Sequence, residues 1–320
     1  MFDGLRRKLE SAVTAGGFLG GGICMIDPDG WEHVHVTGKV HPDGFDEAPE
    51  PLTDPGVRMR MASISKAITG RAACALVAEG RLDLEADVSD ILDWHDAPSM
   101  MQEVTVRMLL NHTSGLTDAA GYIFERPQSP MEFISANAGQ IASGDAPGRW
   151  FRYANLNFVL LGALLEAASG QRFDRLVHRH VLKPAGIDGG FNWAGVSASR
   201  RERHLPIYQR FGARFEPQTE PEGADWGADI VWGDGRGFAF DDYVLLRDAL
   251  LFSPHAGMRM SVIEAARLAR FLRDDSAAGR LQRSTTWRFD AQVPNGNHCD
   301  GHFGEFGLGL TIYRDEPRIP

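Results

Sequence analysis

Met61-Ala62-Ser63-Ile64-Ser65-Lys66-Ala67-Ile68-Thr69-Gly70 is the stretch on which the reading of this chain turns. It passes directly into a helical pattern that runs from Ser63 to Glu79, where Gly80 stops it. Residues three apart on a helix are neighbours on one face, so the Lys66 side chain can reach the Ser63 hydroxyl. A serine hydroxyl is a weak nucleophile until something accepts its proton, and a lysine withdrawn from water becomes uncharged enough to do so. In the first turn of the helix, Ser63 also meets free backbone N–H groups and a dipole that favour developing negative charge. The same spacing fits a solvated helix start, so the rest of the chain has to decide between the two.

The bulk properties exclude several classes. With 320 residues, 43% of them hydrophobic, the chain can bury a large core. A net charge of −10, with 33 basic residues scattered along the sequence, argues against a nucleic-acid surface. No run of about 18 apolar residues is present, so no membrane span is expected. The start, Met1-Phe2-Asp3-Gly4-Leu5-Arg6-Arg7-Lys8, lacks the continuous apolar stretch of an export signal, which points to the cytoplasm. Cys24, Cys74 and Cys299 are too few and too dispersed for a disulfide framework or a zinc cage. No cofactor is implied, and no metal.

Around the Ser63 segment the pattern alternates between strand and helix. Phe2, Leu5, Leu9 and Val13 recur at helical spacing as far as Gly16-Gly17. Gly22 to Ile26 reads as a buried strand, Asp27-Pro28-Asp29-Gly30 as a turn, and Trp31 to Thr37 as the returning strand. In the latter, Val34 and Val36 share one face and Trp31, His33 and His35 the other, with His33 and His35 expected to face outward. Gly16 to Gly22 precede a strand where a dinucleotide loop would follow one, and Gly233 to Gly237 read as a plain turn. Tyr153-Ala154-Asn155 stands before an apolar helix from Leu156 to Ala168 that Gly170 closes. A further helix is expected from about Phe173 to Leu182. Ser261-x-x-Glu264 is a capping box opening a helix through Leu272, and Phe306 to Tyr313 is strand-like. Residues from about 195 to 250 show no sustained period, and Trp226 and Trp232 there could line a pocket or fill a core. No internal repeat or low-complexity linker divides the chain.

Taken together, Ala62-Ser63-Ile64-Ser65-Lys66, Leu109-Leu110-Asn111-His112-Thr113-Ser114-Gly115-Leu116, and Tyr153-Ala154-Asn155 followed by Leu160-Leu161-Gly162 resemble the serine β-lactamase-related family. That family includes class C β-lactamases, D-alanyl-D-alanine carboxypeptidases and family VIII esterases. The motifs come in the family's order at matching intervals, and residues 253–261 and 287–310 resemble its later segments. The resemblance implies an α+β fold of the β-lactamase/transpeptidase type. A central antiparallel sheet is flanked by helices and interrupted by a mostly helical inserted subdomain, with the active site in a groove between them. Residues 1–320 would form one such domain, its sheet-forming parts at about 1–80 and 255–320 and its helical subdomain at about 81–254. By the same resemblance Ser63 is the acylated nucleophile, and Lys66 accepts its proton. Tyr153 carries a proton to the leaving group and activates the deacylating water, and Asn155 holds either the substrate carbonyl or Lys66.

The family's third motif, Lys-Thr-Gly or His-x-Gly on a strand beside the nucleophile, is harder to place. His255-Ala256-Gly257 is set aside because a helix is expected after it. His302-Phe303-Gly304, 149 residues after Tyr153, precedes strand-like sequence, so His302 and Gly304 are candidate substrate-binding residues. Alternatively Phe306-Gly307-Leu308-Gly309-Leu310 is the glycine-containing strand that comes before the motif, which then lies past residue 320. On either alignment the C-terminal strands are expected to be incomplete. The leading expectation is a serine hydrolase forming an acyl-enzyme with a small-molecule ester or amide. The competing one is a weakly active or inactive ligand-binding or scaffold member of the family. Zinc chemistry through His33, His35, His178 and His180 ranks last, since no ligand spacing supports it.

Overall fold

The computed structural model describes residues 1–16, 18–42, 50–201, 203–212, 214–218, 223–290, 292–297 and 304–313. They divide into two units. The first comprises Met1–Met61, Leu182–Asp242 and Met258–Leu272, and the second Ala62–Val181, Tyr243–Gly257 and Arg273–Pro320. His302 lies outside the described residues.

In the first unit, helix α1 (Phe2–Thr14) and the helix Val262–Leu272 both pack on an antiparallel pair, β1 (Gly20–Ile26) and β2 (Glu32–Gly38). The glycines of β1 make this close packing possible. A Cβ on Gly21 would stand 2.9 Å from Leu9 of α1, and one on Gly22 would stand 3.2 Å from Val262. His33 is exposed, as expected of an outward-facing residue, whereas α1 partly covers His35. His35 Nε2 lies 3.1 Å from Glu10, and His33 pairs with Asp27 at 3.0 Å. A second antiparallel group sets Met258–Met260 between β3 (Met59–Arg60) and Gly190–Phe191. The expected capping box forms: Ser261 N donates to Glu264 Oε2 at 2.8 Å and Glu264 N to Ser261 Oγ at 3.3 Å. Glu264 also takes the Arg58 guanidinium at 2.9 Å, a nearly buried pair whose remaining groups bond to Gly56 O, Asp188 O and Asp188 N. Trp226 packs on the core formed by Trp193, Val196, Ala224 and Val231.

The second unit is organised around helix α2 (Ser65–Ala78). Ten of its residues are buried, on all sides of the helix, as befits a core element and not a surface one. Small residues make that burial possible. A Cβ on Gly70 would come within 2.5 Å of Leu308 O, so the segment Gly307-Leu308-Gly309 lies directly on the helix. Buried polar groups on α2 are matched: Arg71 bonds Gln282 and Asp274, each at 2.8 Å, and Thr69 Oγ1 donates to Pro254 O at 2.8 Å. Beside it runs the apolar helix Asn155–Ser169, ended by Gly170 in the left-handed conformation at φ 62°. Gly162 of that helix lets Pro254 approach to within 2.5 Å of where a Cβ would be, which draws residues 253–257 toward α2.

Phe306 to Tyr313 is not one strand. Glu305–Phe306 and Thr311–Ile312 pair with each other antiparallel, and residues 307–310 turn between them, Gly309 at φ 79°. Apolar alternation could not reveal this, because Leu308 and Leu310 suit a strand and a buried turn equally well. Among the described residues, no helix is long and apolar enough to cross a membrane.

Gly70→Ala provides a test of this packing. Alanine should favour the helix by about 0.5–1 kcal/mol, yet the contact with Leu308 should outweigh this. A net loss of about 1–2 kcal/mol in urea unfolding is expected, within the range for overpacked cores.

Candidate active site

Ser63 stands in a 3-10 turn, Ala62–Ile64, immediately before α2, with Lys66 in the first turn of the helix proper. Ala62, just ahead of the nucleophile, has φ 44°, a left-handed conformation that a non-glycine residue rarely adopts and that lifts the turn into a sharp corner. Ser63 is exposed, whereas Lys66 is 3% exposed. The pair therefore joins an accessible hydroxyl to an amine withdrawn from water. Their separation, Nζ to Oγ, is 3.2 Å.

Three acceptors surround the Lys66 nitrogen: Ser63 Oγ, Asn155 Oδ1 at 2.7 Å and His255 O at 3.0 Å. The last two are carbonyl oxygens and can only accept. A neutral amine would spend its two N–H groups on them and turn its lone pair to the Ser63 hydroxyl. Burial pulls the Lys66 pKa from 10.5 down to about 7, with the nearby Asp118 charge acting in the opposite sense. The amine is thus substantially uncharged at neutral pH. Its Nζ also lies 4.9 Å from the Tyr153 ring centre and 5.7 Å from that of Phe158.

Tyr153, 44% exposed, donates its hydroxyl hydrogen to Ser63 Oγ at 2.8 Å. Its ring lies over the fully buried ring of His112, centres 4.4 Å apart and planes at 31°. His112 Nδ1 accepts from Ala154 N at 3.3 Å and pairs with Asn157 Nδ2 at 3.1 Å, so its proton is on Nε2. Burial, reinforced by Lys66, holds His112 well below the ordinary histidine range, and the base of the site is a neutral ring. Ser114 Oγ donates to Asn157 Oδ1 at 2.6 Å, completing the platform.

The structure therefore brings Ser63, Lys66, Tyr153 and Asn155 to one point. Gly304 is exposed just before the strand Glu305–Phe306, and its carbonyl accepts from Phe289 N at 3.0 Å. Three participants escaped the sequence reading. His255 was set aside because a helix was expected to follow. In fact the strand Met258–Met260 comes first, and the His255 carbonyl reaches Lys66. His112 lay within a quoted motif but had no role there. Asp118 carried no signal at all, although it accepts from Asn155 N and Asn155 Nδ2, each at 2.9 Å, and from Leu156 N at 3.0 Å. Among the described residues no group of three or more His, Cys, Asp or Glu could hold a metal.

The chain as a whole is similar to known proteins. The chain is 31% identical over 210 residues to Esterase EstB of Burkholderia gladioli, an alignment covering 60% of this chain and 50% of that protein. It is 30% identical over 181 residues to Penicillin-binding protein 4* of Bacillus subtilis (strain 168), covering 55% of this chain and 39% of that one. The aligned part thus spans half or less of the length of these curated relatives. Among solved structures, the octameric penicillin-binding protein homologue from Pyrococcus abyssi superposes with a TM-score of 0.69 at 22% identity, over 98% of this chain and 65% of that one. The D-amino acid amidase from Ochrobactrum anthropi SV3, complexed with D-phenylalanine, gives 0.68 at 18%, over 97% and 82%. At such identities these structures show a shared fold, of the β-lactamase/transpeptidase type and α+β in class. The sequence model of the Beta-lactamase family extends the match from residue 5 to residue 317, and over that span the chain belongs to the Beta-lactamase family.

Proposed function

We propose that this protein is a serine hydrolase that passes through a covalent acyl-enzyme at Ser63, acting on esters or small amides. The observation that carries the reading is the position of Ser63 Oγ between the Lys66 amine and the Tyr153 hydroxyl, at 3.2 and 2.8 Å. Both groups suit the work. An amine near pH 7 can take the serine proton, and a phenol within hydrogen-bond reach of the same oxygen can move a proton onward. The relatives add an esterase and a penicillin-binding protein.

In the first step Lys66 Nζ accepts the Ser63 proton as Oγ bonds to the substrate carbonyl carbon, and the carbonyl electron pair moves to oxygen. The backbone N–H at the helix start stabilises that oxyanion. Collapse of the intermediate expels the leaving group, which takes a proton from Tyr153, and the Lys66 ammonium restores the phenol. Water then attacks the acyl carbon, Tyr153 taking its proton while passing its own to the neutral Lys66 amine, and the Lys66 ammonium returns a proton to Ser63 Oγ as it leaves. Asn155 contributes by holding the amine at 2.7 Å, which leaves the lone pair facing Ser63.

A fluorophosphonate probe followed by intact-mass spectrometry tests this directly. One adduct is expected on the wild type and none on Ser63→Ala, together with a loss of ester turnover of at least about 10³-fold. An adduct that survives in the variant would refute the assignment.

The acylation rate should depend on pH in a defined direction. Lys66 works as a base only when neutral, so kcat/KM should be low under acid conditions and rise through an inflection near pH 7. A flat profile from pH 5.5 to pH 8.5, with no inflection in that window, would exclude Lys66 as the base.

A further inference from the structure

We propose that Asp118 is a positioning residue of the Ser63 centre, orienting Asn155, and through it Lys66, while setting the charge that the amine faces. This inference rests on the acyl-enzyme reading for its catalytic consequence but not for its effect on Lys66.

The geometry begins with the helix Asn155–Ser169. Its first N–H groups lack intrahelical acceptors, and its N-cap, Ala154, has no side chain that could accept them. Asp118 fills that place from 37 residues away, Oδ2 taking Asn155 N and Oδ1 taking Leu156 N. An acidic group is also the favourable charge for a helix start. The same Oδ2 accepts from Asn155 Nδ2 at 2.9 Å, a bond that no cap at position 154 is needed to make. This second bond fixes which way the amide points. With Nδ2 committed to Asp118, Oδ1 is turned to Lys66. A flipped amide would set Nδ2, a donor, against the amine and leave Asp118 facing an oxygen.

The charge matters as well. The groups around Lys66 are the Ser63 hydroxyl, the Tyr153 and Phe158 rings, the His255 carbonyl, the Asn155 amide oxygen and the neutral buried His112, with Asp118 behind Asn155. Burial favours the uncharged amine, and Asp118 is the acid that counters it. Without that carboxylate the amine would lose its proton at lower pH. The polar bonds that orient the site and the charge that sets its working pH therefore come from one side chain.

Asp118→Asn keeps the size and a capping oxygen while removing the charge. The protein has only four lysines, Lys8, Lys39, Lys66 and Lys183, so Cε resonances of 13C-lysine-labelled protein can be followed singly, with Lys66→Arg as the assignment control. Lys66 is expected to titrate lower in Asp118→Asn by at least about half a pH unit, a threefold change in the proton equilibrium, with the other lysines unmoved. An unshifted Lys66 in a folded variant would overturn the proposal. Should Asp118→Asn fail to fold, Asp118→Ser serves the same comparison. Kinetics supplies the second arm. Fluorophosphonate labelling should slow about tenfold or more in Asp118→Asn, and Asp118→Asn/Asn155→Ala should be no slower than Asn155→Ala alone, since neighbours acting as one unit are not additive. Fully additive losses would also overturn the proposal. A wild type that takes no probe would count against Ser63 as the nucleophile, while the lysine titration would still decide the role of Asp118.

Discussion

A lysine amine held out of water is the constraint on which this structure depends. Removing an ammonium from solvent is costly unless it is paired or gives up its proton, and Lys66 has taken the second course in part, at a pKa of about 7. Its neighbours are arranged accordingly. Two carbonyl oxygens occupy its N–H groups, two aromatic rings close over it, and the remaining direction leads to Ser63. Those neighbours come from several parts of the second unit. The helix Asn155–Ser169 brings Asn155, the segment before Met258 brings His255, and Gly307–Gly309 seals the helix from behind, where a Cβ on Gly309 would stand 2.8 Å from Lys66 O.

The accessibility of the centre is divided sharply. Ser63 and Tyr153 are exposed, whereas Lys66 and His112 are buried. A substrate can therefore meet the hydroxyls, and the groups that set their reactivity are insulated from solvent. The buried Ser114 and Asn157 and the part-buried Asn155 are each satisfied by protein partners, so the arrangement is preorganised. Strain is present too. Ala62 at φ 44° and His112 at φ 61° both adopt left-handed backbone next to the groups they position.

How much of this was legible in the sequence depended on range. Local relations were readable: Ser63 and Lys66 at i, i+3, the Ser261–Glu264 capping box, the Gly170 stop and the hairpin of β1 and β2. The resemblance to a family added Tyr153 and Asn155, whose separation from Ser63 and Lys66 in sequence hides their contacts. His255-Ala256-Gly257 is set aside on the expectation of a helix where the strand Met258–Met260 stands, and its carbonyl bond to Lys66 leaves no mark in the sequence, since a carbonyl oxygen belongs to every residue type. Asp118 was hidden for a related reason, because capping is recognised in sequence beside the helix it serves, and this cap comes from a distant loop. Residues 195–250 show no period because strands there are short, such as Ile230–Val231 and Gly237–Phe238, and Trp226 packs, partly buried, against a core.

The central claim is that the buried amine makes Ser63 the group that carries the acyl chain. It is tested most directly by acid-quenching the protein during turnover of an activated p-nitrophenyl ester and mapping the peptides by mass spectrometry. The account predicts the acyl mass on the peptide that contains Ser63, appearing before steady-state product release and absent in Lys66→Ala. Turnover with no acylated peptide, or with the acyl group on another residue, would contradict it.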